Sequence, residues 1–206
     1  MRLLALFAMV LCASAGAERQ QLFNGRDLNG WKMTGQGRFE VENGLLKTVG
    51  GMGLLYYTRE EFGDCTIRVV FRTQSERSNS GVFIRVPEQP ADPWYAVHNG
   101  YEVQIDAGDD EWHATGAVYS MAKVTAHPQR PPGQWNTLDI VLDGDSTRAI
   151  LNGTEVLEFD PSDPVPPRMH WYEPIRGPRP REGYIGLQNH DDNSVVYFRE
   201  VSVERH

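Results

Sequence analysis

The sequence predicts an all-β fold, an antiparallel sandwich of two sheets. Three observations carry this reading. Runs that alternate apolar and polar residues recur along the chain, and no segment longer than about ten residues has apolar positions at helical spacing. Asn-Gly pairs also stand between alternating runs, where tight hairpins need them.

The first hairpin joins Phe39, Glu40 and Val41 to Leu45, Leu46 and Lys47 through Asn43-Gly44. A two-residue turn of this kind needs positive φ at both central positions, which Asn and Gly tolerate best. The clearest strand follows at 65–73, where Cys65, Ile67, Val69 and Phe71 alternate with Thr66, Arg68, Val70 and Arg72. Further strands are predicted at 81–86, 101–106 and 137–142, and a second hairpin joins 148–151 to 155–159 through Asn152-Gly153. Strands at 183–188 and 195–203 complete the set. Two proline-rich stretches, 87–99 (PEQPADPWYAVHN) and 161–182 (PSDPVPPRMHWYEPIRGPRPRE), are predicted as long, stiff loops of functional interest. Many hairpin-linked strands without repeats or an evident linker predict one two-sheet domain over 18–206.

Residues 1–17 have the form of a secretory signal: Arg2, an apolar run over 3–11, then small residues ending in Ala15, Gly16 and Ala17. The run is too short to span a bilayer, so the expected mature chain starts near Glu18 and is soluble, periplasmic or extracellular. Cys12 stands where a lipoprotein cysteine would, but Leu11 replaces the small residue expected before it, so lipid anchoring is not expected. Loss of residues 1–17 leaves Cys65 as the sole cysteine, which excludes an internal disulfide and places the burden of stability on the core. Alternating with apolar residues on a strand, Cys65 is expected to be buried and inert. With Arg2 removed, 19 basic residues face 28 acidic ones, a net of −9 that repels nucleic acid and anionic membrane surfaces. No GxSxG, HExxH, paired CxxC or phosphate-cradling glycine loop occurs.

The strand at 101–106 sends Tyr101, Val103 and Ile105 to one face and Glu102, Gln104 and Asp106 to the other. That polar stripe is either solvated surface or the floor of a site. Arg85, facing away from Val82, Ile84 and Val86, is expected beside it. Two acidic clusters, Asp109-Asp110-Glu111 beside His113 and Asp191-Asp192-Asn193 after His190, offer oxygens to Ca²⁺ without the spacing of an EF-hand loop. No cofactor is assigned from them, and a divalent ion such as Ca²⁺ stays open.

Seven segments in order resemble the blocks of one family: LFNGRDLNGW (22–31), NSGVFIR (79–85), GYEVQID (100–106), TGAVY (115–119), PPGQWN (131–136), LNG (151–153) and GYIGLQNH (183–190). On these the chain resembles the 3-keto-disaccharide hydrolase domain family, long known as a domain of unknown function. The resemblance covers nearly all of the chain after residue 17. It implies a concanavalin A-like jelly roll of lectin and glucanase type, found in exported bacterial proteins, and hydrolysis of glycosides whose sugar carries a ketone at C3.

Ordinary glycosidases need two carboxyl groups, about 5–5.5 Å apart for retention and about 6.5–9.5 Å for inversion. Glu102 and Asp106 have backbones about 13 Å apart at roughly 3.3 Å per residue, and Gln104 between them is neither acid nor base. A 3-keto sugar relaxes the requirement, because its C2 hydrogen is acidic and elimination followed by hydration needs one base and a stabilised enolate oxygen. For that route Glu102 is expected as the base, Arg85 as a fork for the ketone oxygen or a hydroxyl pair, and His190 as the acid on the leaving oxygen. Gln104 and Asp106 are expected to bind an oligosaccharide or glycoside substrate. Among the loop aromatics Trp94, Tyr95, Trp112, Trp171 and Tyr172, the leading candidates to stack on sugar are Trp94 and Trp171, with Tyr172 beside them. Trp31 and Trp135 are assigned to packing. A carbohydrate-binding module without catalysis, and a domain that binds protein through the same face, stay open as alternatives.

Overall fold

The computed structural model describes residues 18–108 and 110–206; the signal-like segment with Cys12, and Asp109 of the first acidic cluster, lie outside the described residues. The elements are β1 (Gln20–Gln21), β2 (Trp31–Gly35), β3 (Arg38–Glu42), β4 (Leu45–Val49), β5 (Gly53–Tyr57), β6 (Cys65–Thr73), β7 (Asn79–Val86), α1 (Pro93–Asn99), β8 (Tyr101–Asp106), β9 (Asn136–Asp143), β10 (Ser146–Leu151), β11 (Thr154–Phe159), β12 (Tyr184–Asn189) and β13 (Val196–Arg205). All pairings between these strands are antiparallel. One sheet runs β11-β10-β9-β6-β13-β4-β3, with β1 added on β13, and the other runs β2-β5-β12-β7-β8. The predicted all-β sandwich is the fold observed.

Alternation decides what lies between the sheets. Ile67, Val69 and Phe71 of β6 and Leu138 and Ile140 of β9 share one core with Val82 and Ile84 of β7, Val103 and Ile105 of β8 and Leu187 of β12. Each such side chain, fully buried, stabilises the fold by about 1.5–3 kcal/mol. Cys65 joins this core, and burial pushes its thiol up to about 11, so it is inert at neutral pH. Both Asn-Gly turns adopt the expected conformation, with φ of 52° and 80° at Asn43 and Gly44 and 52° and 84° at Asn152 and Gly153.

The first proline-rich stretch is not all loop. Residues 93–99 form α1, capped by the Asp92 side chain, which accepts from the Tyr95 N–H at 3.1 Å, and opened by Pro93 in its first turn. Pro is pre-set for that position because its missing N–H has no helical partner there. Ala96 and Val97 of α1 pack on Leu54, Tyr56, Phe83 and Val86, on the outer face of the five-stranded sheet. This explains why β5 shows no alternation: all five of its residues are buried, with the core on one side and α1 on the other.

The second proline-rich stretch contains no strand or helix, as expected. Proline offers no N–H for a ladder, yet its carbonyls still need donors. Arginine supplies them: Arg176 donates to the carbonyls of Pro166 and Pro174 and to Ser120, and pairs with the Glu173 carboxylate at 3.0 Å. Arg179 donates to the carbonyls of His98, Gly100 and Ile175. Among the described residues no helix is long and apolar enough to cross a membrane.

Candidate functional site

Tyr101, Val103 and Ile105 do enter the core, so Glu102, Gln104 and Asp106 face outward from the five-stranded sheet. Beside the ground covered by α1, that outer face forms the floor of a cleft of about 370 Å³. Register builds the floor. Gln104 of β8 pairs with Gly81 of β7, and the pairing of Val82 with Leu187 carries Gln188 of β12 to the other side of Gly81. Gly81 leaves a gap in this row, and the Glu102 side chain fills it: a Cβ added at Gly81 would lie 2.3 Å from Glu102 Oε1 and 2.7 Å from its Cγ.

The environment of Glu102 is unusual for a carboxylate. The residue is 5% exposed, and among the described residues its Oε1 has no hydrogen-bond partner and no lysine or arginine lines the cleft. Burial without a compensating charge pushes its carboxyl up to about 8. The side-chain oxygens of Asn79, Gln104 and Gln188 in the same cleft are likewise buried without donors. A floor of unfilled acceptors favours a ligand rich in hydroxyl donors. Asp106, at the end of the stripe, is raised by burial too, but its oxygens accept from Asn79 Nδ2 and from the Gly108 N–H, each at 3.0 Å.

Two histidines line the cleft, and each is oriented by its neighbouring acid. Asp191 Oδ2 lies 2.9 Å from His190 Nδ1, and Asp110 Oδ2 lies 2.5 Å from His113 Nδ1, leaving Nε2 as the unengaged nitrogen of both rings. One aspartate of each acidic cluster, Asp110 and Asp191, thus faces an imidazole. Among the described residues no group of three or more His, Cys, Asp or Glu side chains converges as a metal site. Tyr119 also lines the cleft. Its backbone N–H donates to the Glu102 carbonyl at 2.9 Å, and burial, reinforced by the Glu102 charge, pushes its phenol up to about 12, so it remains an O–H donor.

Trp94 from α1 and Trp171 from the arginine-held segment meet at the rim with ring centroids 4.8 Å apart, and Tyr172 lies 5.9 Å from Trp171. The structure therefore brings Glu102, Gln104, Asp106, His190, Trp94, Trp171 and Tyr172 to one cleft. Tyr95 and Trp112 do not line it, and Trp31 is buried in the core.

Arg85 is the correction. Strict alternation assigns it to the polar face, but β7 carries a bulge between the pairs Val86–Tyr184 and Phe83–Gly186, and Arg85 itself has φ of 53°. Its side chain is turned away and buried at 1% exposure, donating to the carbonyls of Gly144 at 2.8 Å and Ser146 at 3.2 Å. It does not reach the cleft, so the fork proposed for the ketone oxygen is absent. The residues that sequence reasoning passed over are Asn79, Gly81, His113 as a lining group, Tyr119 and Gln188. Gly81 and Tyr119 do lie within the blocks NSGVFIR and TGAVY, which was the available signal.

Comparison with known proteins bears on the family and the fold. A family model described as a 3-keto-alpha-glucoside-1,2-lyase-like domain matches residues 18–204. A 3-keto-disaccharide hydrolase of Bacteroides thetaiotaomicron is 22% identical, over 89% of this chain and 77% of that protein. Among solved structures, a glycosyl hydrolase candidate from Parabacteroides distasonis superimposes with a TM-score of 0.75 at 23% identity, covering 92% of this chain and 100% of the other. The carbohydrate-binding module CBM66 from Bacillus subtilis does so with a TM-score of 0.57 at 16% identity, covering 85% and 95%. At these identities the structural likenesses establish the fold.

Proposed function

This chain belongs to the 3-keto-alpha-glucoside-1,2-lyase-like family, and on that premise we propose that its cleft hydrolyses glycosides whose sugar carries a ketone at C3, with Glu102 as the base. The observation that carries the proposal is a buried carboxyl with no hydrogen-bond partner at Oε1, raised to about 8, on a strand whose next carboxyl, Asp106, stands four residues away. A base of that strength is better matched to a carbon acid than an ordinary carboxylate is.

The steps balance without a nucleophilic carboxylate. Glu102 takes the C2 proton, and the bonding pair moves into an enolate whose C3 oxygen accepts a hydrogen bond from the Tyr119 hydroxyl. The enolate returns to a ketone as the C1–O bond breaks, and the departing oxygen takes a proton from His190 Nε2. Water then adds to C1 of the enone and gives its proton to His190 Nε2, while Glu102 returns a proton to C2, giving net hydrolysis. Asn79, Gln104 and Gln188 accept from sugar hydroxyls, and Trp94 covers an apolar C–H face. On the signal-like character of residues 1–17, we place this reaction outside the cytoplasm.

A second reading, sugar binding without turnover, is favoured by the likeness to a carbohydrate-binding module. One experiment decides between them. An aryl 3-keto-glucoside needs no proton on its leaving group, so its kcat/KM reports the base alone. It is expected to rise about tenfold per pH unit up to about 8 and then level off. A profile flat above pH 5 would reject Glu102 as the base, and binding without release would favour the second reading.

Gly81→Ala tests the placement of the carboxyl. The added methyl occupies the space of Glu102 Oε1, so kcat/KM is expected to fall by roughly 10²-fold, with about 1–3 kcal/mol lost from stability. Steady-state kinetics and a thermal melt on the same preparation check both; unaltered kinetics would mean the carboxyl works from another position.

A further inference from the structure

The outermost part of the cleft has no role in the steps above. Met169, Trp171, Tyr172 and Ile175 are 72%, 65%, 40% and 46% exposed, and all four lie on the 161–182 segment. Trp171 and Tyr172 also line the cleft side by side, and exposed apolar side chains beside a cleft mark a binding surface. This surface is also held in place before any ligand arrives. Arg176 ties the segment to Ser120 and Arg179 ties it to His98 and Gly100, while the Trp171 carbonyl accepts from His98 Nε2 at 2.9 Å. A platform ordered in advance loses little entropy on binding.

The cleft thus has two halves of different chemistry. Its floor, at Glu102, Gln104 and Gln188, presents polar groups to the reacting sugar, whereas its rim presents the rings of Trp171 and Tyr172. A second sugar placed on this rim would turn one face to the rings and leave most of its hydroxyls without protein partners. A flat aromatic group would bury both its face and its edge there. We infer that the rim is a subsite for the leaving group and selects 3-keto-glycosides whose leaving group carries an aromatic ring. This inference rests on the function proposed above.

The test compares 2-phenylethyl and ethyl 3-keto-glucosides, which share an alkyl alcohol leaving group and so differ only in the ring presented to the rim. The wild-type KM is expected to be about tenfold lower for the phenylethyl substrate, and the ratio is expected to fall to near one in Trp171→Ala. A calorimetric titration with unoxidised 2-phenylethyl glucoside, ethyl glucoside and cellobiose reads the same preference without turnover. Equal affinities, or tighter binding of cellobiose than of the phenylethyl glucoside, would overturn the subsite. Aromatic preference in binding, with no turnover of any 3-keto-glucoside, would uphold the subsite and sink the proposed function instead.

Discussion

Replacing Glu102 with glutamine is expected to lower kcat on a 3-keto-glucoside by about 10²–10⁴-fold, the range lost with a positioned general base. The amide keeps the shape that fills the gap over Gly81 but cannot take the C2 proton. The same change is expected to raise stability in alkaline solution. Folding lifts the Glu102 carboxyl from 4.5 to about 8, so the folded state holds a proton that the unfolded state has released between those values. Wild-type stability therefore falls as pH rises from 4.5 to about 8, whereas the glutamine variant, having no proton to lose, escapes that decline. Melting temperatures at pH 5 and pH 9 check it: the variant should gain on the wild type at the higher pH. A variant that loses activity and also melts lower at pH 9 would indicate a misfolded cleft, not a missing base.

Tyr119→Phe is expected to lower kcat by about 10²–10³-fold with little change in KM, as found where one donor to a developing oxyanion is lost. With Arg85 committed to the carbonyls of Gly144 and Ser146, the phenol is the neutral donor beside Glu102 that stays protonated across the working range, being pushed up to about 12. The hydrogen bond strengthens as charge reaches the C3 oxygen, which is why kcat and not KM should respond. An effect confined to KM would assign Tyr119 to substrate binding alone.

The sequence made one sheet face legible and obscured its neighbours for definite reasons. Period-two alternation is a strong signal in β8 because one face is core and the other polar, so Glu102, Gln104 and Asp106 were assigned correctly. The same rule misplaced Arg85, since a bulge inserts one residue and reverses every later assignment on that strand without a composition signature. Strand β5 was silent because it is buried on both faces, and α1, at seven residues, is too short to establish a period. Its Asp92-Pro93 start was the readable sign. Tyr119 and His113 lie outside regular strands, where no periodicity assigns a face, and only the folded path from β8 brings them into the cleft. Which aspartate of each acidic run faces its histidine was not legible either, because short acidic runs look alike whether they bind an ion or orient a ring.

The most direct test of the account follows a label at C2. A 3-keto-glucoside deuterated at C2 is turned over in ordinary water, the product is reduced at once to stop spontaneous exchange, and its C2 deuterium is measured by NMR against an enzyme-free control. Elimination and hydration through Glu102 predict a primary isotope effect on kcat/KM, with deuterium lost from the product to the extent that the protonated Glu102 exchanges with solvent before it returns a proton to C2. A product that keeps the deuterium, formed without an isotope effect, would show direct substitution at C1 and contradict the role assigned to Glu102.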